Sequence, residues 1–145
     1  MIRFETNLSG TAYRRLIQYA ASRAPYFALA DRESLQRNER CMSILKRLEP
    51  FLVNVHVPHE LQGRNEIAYT DGYIYVYKCC EETTAILTET ADCLYAWQHP
   101  DLPEDLCFWN SDGSDFLVTI AHEKIGYILD GGENSRNSDA FCRSW

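Results

Sequence analysis

Hydrophobic residues recur at two different periods along this chain, and the switches between them mark out helices and strands. After Ser9, a residue type that caps helices, Tyr13, Leu16, Ile17, Ala20 and Ala24 follow at three- and four-residue spacing. That spacing predicts an amphipathic helix, which Pro25 bends or ends. A second helical pattern runs from about Arg32 to Leu48. Leu35, Met42, Leu45 and Leu48 form its inner stripe, Arg37, Arg40, Lys46 and Arg47 look outward or sideways, and Pro50 stops it. A third helix is predicted from Thr83 to Trp97, where Ile86, Leu87, Thr90, Ala91, Leu94 and Tyr95 keep helical spacing despite β-favouring threonines at the start.

Elsewhere the period drops to two. In FLVNVHV, residues 51–57, Val53, Val55 and Val57 alternate with Asn54 and His56, which predicts a strand with the valines toward a core. A polar loop from Pro58 to Glu66 and an Asp71-Gly72 turn lead into YIYVYKCC, where Tyr73, Tyr75 and Tyr77 alternate with Ile74 and Val76. LCFW and DFLVTIAH flank NSDGS as a hairpin, and KIGYIL adds a last strand. The C-terminal DGGENSRNSDAFCRSW reads as a turn-rich polar tail from about residue 131. The predicted order is α-α-β-β-α-β-β-β: one α+β domain over 1–145, an antiparallel sheet of about five strands packed with three helices.

Composition narrows the function class. With 46% hydrophobic residues, a chain of 145 residues can bury one core without covalent staples. Lys plus Arg is 14 and Asp plus Glu is 21, a net charge of −7. The arginines cluster before residue 50 and the acids concentrate after residue 60. A negative surface repels phosphate backbones and anionic lipid heads, so neither nucleic acid nor membrane is expected as the main partner, whereas a basic protein fits. No window approaches the ~20 apolar residues that cross a bilayer. Cys41, Cys79, Cys80, Cys93, Cys107 and Cys142 show no CxxC spacing and no secretory leader is evident, so reduced thiols in a cytoplasmic protein are expected.

The candidate chemistry is sparse. His122 and Glu123 close a predicted strand, and a carboxylate beside an imidazole can serve acid/base work. A zinc-protease helix would need His at position 126, which is Gly126. Strand neighbours also point to opposite faces, which favours a His122 bonded to a loop carbonyl and a Glu123 paired with Lys124 or an arginine. His56, His59 and Glu60 would need a distant third ligand such as His99 or His122 to hold a metal. Glu104-Asp105 suits the entry to a strand, with carboxylates accepting local N–H groups. Cys107, between Leu106 and Phe108, is expected to pack internally, and Gly131-Gly132 opens no phosphate-cradling helix. No catalytic residue, metal set or cofactor is assigned. Tyr69, Tyr73, Tyr75 and Tyr77 form an aromatic ladder in which Lys78 is the sole nearby cation, a composition suited to a protein interface rather than a nucleic-acid platform.

The segments LYAWQHPDLPEDLCFW and TIAHE, with the GSDFL hairpin return between them, resemble a group of small bacterial α+β proteins over about the last sixty residues. In size, acidity and organisation the chain is similar to immunity proteins, which neutralise toxins in bacterial competition. The resemblance implies an intracellular, bacterial or phage, non-enzymatic setting. The leading expectation is therefore a stoichiometric binding protein that neutralises or regulates a basic partner such as a toxin domain, contacting it through Tyr73, Tyr75, Tyr77, Glu104, Asp105, Asp112 and Asp115. The alternative is a small-ligand or nucleotide pocket, or a modest hydrolase, built on His122 with Glu123 or Glu104.

Overall fold

In a computed structural model that describes residues 1–67 and 69–129, the centre of the molecule is a strand that period-two reasoning does not reveal. Tyr26–Asp31 (β2) has five of its six residues buried, because neighbouring strands flank it and both its faces are covered. A strand buried on both faces has no polar side to alternate with, so YFALA reads as a featureless apolar run after Pro25.

In chain order the elements are β1 (Ile2–Arg3), α1 (Gly10–Arg23), β2, α2 (Glu39–Leu48), β3 (Leu52–His56) and α3 (Pro58–Leu61). They continue with β4 (Tyr73–Lys78), α4 (Glu81–Thr90), β5 (Glu104–Trp109), β6 (Asp115–Ile120) and β7 (Ile125–Ile128). The strands form one sheet in the order β1-β7-β6-β5-β2-β4-β3, antiparallel at every pairing. The α+β class with an antiparallel sheet is as expected, but among the described residues the sheet has seven strands rather than about five, with four helices rather than three. The strands not anticipated are β1 and β2, and the additional helix is the single turn α3 inside the expected polar loop.

One sheet face carries the main core. Tyr13, Leu16, Ile17 and Ala20 of α1 and Ile86 and Leu87 of α4 pack there against Phe27, Leu29, Tyr77 and Phe108. The Tyr13 hydroxyl ties the layer together: it donates to the Leu87 carbonyl at 2.7 Å and accepts the Trp97 indole N–H at 2.9 Å. The other face is covered by the segment after β3, where Leu61 and Tyr69 cap Ala28, Ala30, Ile74, Val76 and Trp109.

The expected helix boundaries shift where side chains offer better backbone partners. The second helix begins at Glu39, not Arg32, because Asn38 caps it by accepting the Cys41 N–H, while Arg32 and Ser34 are held outside the helix by Asp71. Cys41 and Leu48 are its buried residues, whereas Leu35 and Met42, expected on the inner stripe, are exposed. The third helix stops at Thr90 rather than Trp97. Asp92 and Leu94 bond the N-terminal segment through Gly10 and Leu8, and only a 3-10 turn, Leu94–Ala96, follows. β3 is the outermost strand of the described sheet and a register shift between Leu52 and Asn54 interrupts its alternation, and Val53 and Val55 are exposed instead of facing a core. The expected hairpin forms, but His122 and Glu123 leave the strand for a 3-10 turn, Ala121–Glu123. At the Asp71-Gly72 turn, Gly72 adopts φ 79°, and a Cβ there would collide with the Asp31 carbonyl, which pins this turn to the end of β2.

The C-terminal tail, with Cys142 and Gly131-Gly132, lies outside the described residues; the other five cysteines are free thiols. Among the described residues no helix is long and apolar enough to cross a membrane.

Candidate functional site

Two regions gather side chains that could do something, and they lie on different parts of the sheet. The first is built at the start of β5. The loop before it folds back so that the His99 N–H donates to Glu104 Oε1 at 2.8 Å and the Asp105 N–H donates to the Trp97 carbonyl at 3.0 Å. Asp105 takes a left-handed backbone, φ 56°, which the β-bulge beside Ala28 and Ala30 accommodates. Its Oδ1 then accepts the Ala121 N–H at 2.8 Å, and the Thr119 hydroxyl donates to the Leu106 carbonyl at 2.8 Å. These bonds draw the 3-10 turn after β6 onto the base of β5, which brings His122 to the carboxylate pair. One oxygen of each acid and one ring nitrogen of His122 lie within 4.8 Å of one another.

The environments of the three differ. Glu104 and Asp105 are 3% and 6% exposed, while His122 is exposed. Burial pushes the Asp105 carboxyl up to about 6; the neighbouring Glu104 adds to this, and the Ala121 N–H and His122 oppose it. Glu104 Oε2 is buried without a hydrogen-bond partner among the described residues. Beside Asp105 a cavity of about 10 Å³, lined in part by Ala30, Tyr69, Cys107 and Thr119, has room for a single water. Tyr69, under the Arg32 guanidinium at 4.8 Å, is held well above the ordinary phenol range, chiefly by burial and then by the nearby Asp105. Glu123 is exposed and is not part of the cluster. Of the two carboxylates expected beside His122, the bulge and the turn bring Glu104, together with Asp105, and not Glu123.

The second region is an open cleft of about 540 Å³ between α2 and the outer strands, lined by residues that include Met42, Leu45, Lys46, Glu49, Leu52 and Tyr75. Tyr73 and Tyr75 stack at 6.3 Å between centroids, and Tyr75 and Tyr77 lie 6.4 Å apart. Tyr73 is 40% exposed and Tyr75 half-buried, whereas Tyr77 is buried and stacks on Phe27 in the core.

The expected contact residues therefore separate. Tyr77, Glu104 and Asp105 are buried and offer a docked protein no surface. Asp112 is exposed and closes its own turn by accepting the Ser114 N–H and hydroxyl, which holds its carboxyl below the usual range. Asp115 anchors the covering segment by accepting from Asn65 and from the Glu66 N–H. Asp112 lines a depression with Val76, whose side chain points to the opposite sheet face from Tyr75. Tyr73 and Tyr75 thus do not share one surface with the hairpin acids.

The histidines do not converge. His56 bonds Glu60 at 3.2 Å beside the edge strand, and His59 lies in α3. The His99 side chain is buried near Cys41 (3.7 Å) and Asp31 (3.9 Å), an outline that mimics a thiol-protease triad and that sequence spacing does not suggest. Its ring is already committed: Nδ1 donates to the Leu102 carbonyl at 2.9 Å and Nε2 accepts the Arg32 N–H at 3.0 Å. Cys41 is fully buried, its thiol pushed up to about 11 chiefly by that burial, and Asp31 is clamped by Arg37 at 2.7 Å. This trio holds α2 to the sheet and is not poised to attack a substrate. Cys107 likewise donates to the Asp105 carbonyl, and burial raises its thiol.

No known protein family matches the chain, and no curated protein or solved structure shows significant similarity to it.

Proposed function

We propose that this protein is a non-enzymatic binding protein that neutralises or regulates a basic partner protein, such as a cationic toxin domain, by docking it in the cleft between α2 and the outer strands. The observation that carries this reading is the stacked Tyr73–Tyr75 pair beside that cleft, with Met42 and Leu45 lining it. Aromatic rings and methionine at a solvent-open surface are the residue types on which protein interfaces concentrate their energy. The net charge of −7 favours a cationic partner. Arg32, Arg37 and Arg47, at or near α2, are paired with Asp71, Asp31 and Glu89, so the chain's own acids occupy them. Docking by side chains is favoured over an added strand, because the Val55 and Val57 N–H groups of the edge bond Asn54 Oδ1 and Glu60 Oε1.

Calorimetric titration of the full chain against a panel of cationic nuclease-type toxin domains tests the reading. Binding should weaken as salt rises and should lose at least about tenfold in affinity in Tyr73→Ala and Met42→Ala, since Met42 is exposed in the cleft lining and the exposed Tyr73 stacks on Tyr75 of that lining. Absence of binding, or binding indifferent to both substitutions, would remove the proposal. The alternative reading draws support from the approach of Glu104, Asp105 and His122. The cavity beside Asp105, however, accommodates one water, an occupant far smaller than a nucleotide.

A further inference from the structure

A carboxylate oxygen sealed from water and lacking any donor is costly unless something else satisfies it. Glu104 Oε2 is in that position, on a residue only 3% exposed, in a carboxylate that offers an oxygen within 4.8 Å of an Asp105 oxygen and a His122 nitrogen. Two acids side by side in a protein interior also repel one another, and among the described residues neither has a cationic side chain bonded to it: Glu104 accepts the His99 N–H and Asp105 the Ala121 N–H. Among the described residues no ion pair neutralises the two carboxylates where the three groups meet.

We propose that Glu104, Asp105 and His122 bind a first-row divalent transition-metal ion. Two carboxylate oxygens and one imidazole nitrogen make a donor set suited to Zn²⁺, Co²⁺ or Mn²⁺, whereas the imidazole disfavours Mg²⁺ and Ca²⁺, which prefer oxygen throughout. Donor atoms around such an ion, at bond lengths of ~2.1 Å, stand roughly 3.0–3.5 Å apart. Separations of up to 4.8 Å therefore close by up to about 1.3–1.8 Å on binding. The closure falls to His122, which is exposed on a 3-10 turn, while Glu104 and Asp105 are fixed by the backbone donors at the base of β5. Three protein ligands leave at least one position open on the solvent side of His122, where water or an anionic group of another molecule can bind. This site stands apart from the α2 cleft and holds whether or not a protein docks there.

The test uses the full chain, stripped with chelator and titrated separately with Zn²⁺, Co²⁺, Mn²⁺ and Mg²⁺ by calorimetry and thermal unfolding. The expected result is one saturable transition-metal site per chain, at sub-millimolar ion, that raises Tm, with Mg²⁺ at least tenfold weaker. In the Co²⁺ complex the visible absorption bands should weaken or shift in His122→Ala and Glu104→Gln, and affinity should fall at least tenfold in each. His122→Ala removes an exposed side chain and leaves the fold intact, while His56→Ala should bind as the parent does. No saturable binding below millimolar ion, or binding that His122→Ala leaves unchanged, overturns the proposal.

Discussion

Replacing Asp105 by Asn should make the metal-free protein more stable at neutral pH. The Asp105 carboxyl is buried and pushed up from 3.8 to about 6, so at pH 8 the fold must hold an anion that its surroundings disfavour. A shift of about two units corresponds to roughly 3 kcal/mol at ~1.4 kcal/mol per unit. Asn is neutral, keeps an Oδ1 to accept the Ala121 N–H, and tolerates the φ of 56° at this position as well as Asp does. Its amide N–H groups need partners of their own, so part of the gain is lost and about 1–3 kcal/mol remains, or about 3–9 °C in Tm. The sign follows from the direction of the shift. A carboxyl whose folded value is raised destabilises the fold above that value, and the penalty disappears once pH falls below the unfolded value of 3.8. Thermal unfolding with chelator present, followed by circular dichroism from pH 8 down to pH 4, should show the variant ahead at the upper end and the two proteins converging at the lower. A variant that melts below the parent at pH 8, or two curves that run parallel throughout, would refute the argument. A residue that lowers stability yet is held by three separate backbone features is the pattern expected of a binding group retained for function.

Two further outcomes follow from buried or anchored polar groups. Asp71 is held down to about 2, chiefly by the Ser34 N–H and also by the Ser34 hydroxyl and Arg32, so its stabilisation is complete above about pH 4 and drains away as pH falls toward 2. Urea midpoints measured between pH 5 and pH 2 should therefore fall more steeply for the parent than for Asp71→Asn, and equal slopes would contradict this. Tyr13→Phe deletes the hydroxyl shared by the Leu87 carbonyl and the Trp97 indole and leaves a buried N–H unpaired, which should cost about 1–3 kcal/mol in denaturant unfolding. A neutral effect would mean that water replaces the hydroxyl.

The elements most legible in the sequence are those with one wet and one dry face. Tyr13, Leu16, Ile17 and Ala20 announced α1, YIYVYK announced β4, and the NSDGS turn announced the β5–β6 hairpin. β2 was hidden by its own burial. The edge valines and the α2 stripe were misassigned because alternation and helical period identify an amphipathic element without saying which side meets the core. Val53 and Val55 are exposed on the outermost strand of the described sheet, where a register shift between Leu52 and Asn54 breaks the alternation, and neither sheet order nor that bulge is contained in the seven residues FLVNVHV.

Local chemistry in the sequence determined the α+β class, the net acidity, the tyrosine ladder and the principal turns, because each depends on residues a few positions apart. Tertiary structure decided the rest: that Tyr77 enters the core while Tyr73 stays wet, and that His99 is spent on backbone partners. It also decided that His122, seventeen positions after Asp105 in the chain, returns to the same carboxylates. That return depends on a β-bulge, a left-handed Asp105 and a bond to the Ala121 N–H, long-range backbone geometry that no spacing rule along the chain encodes.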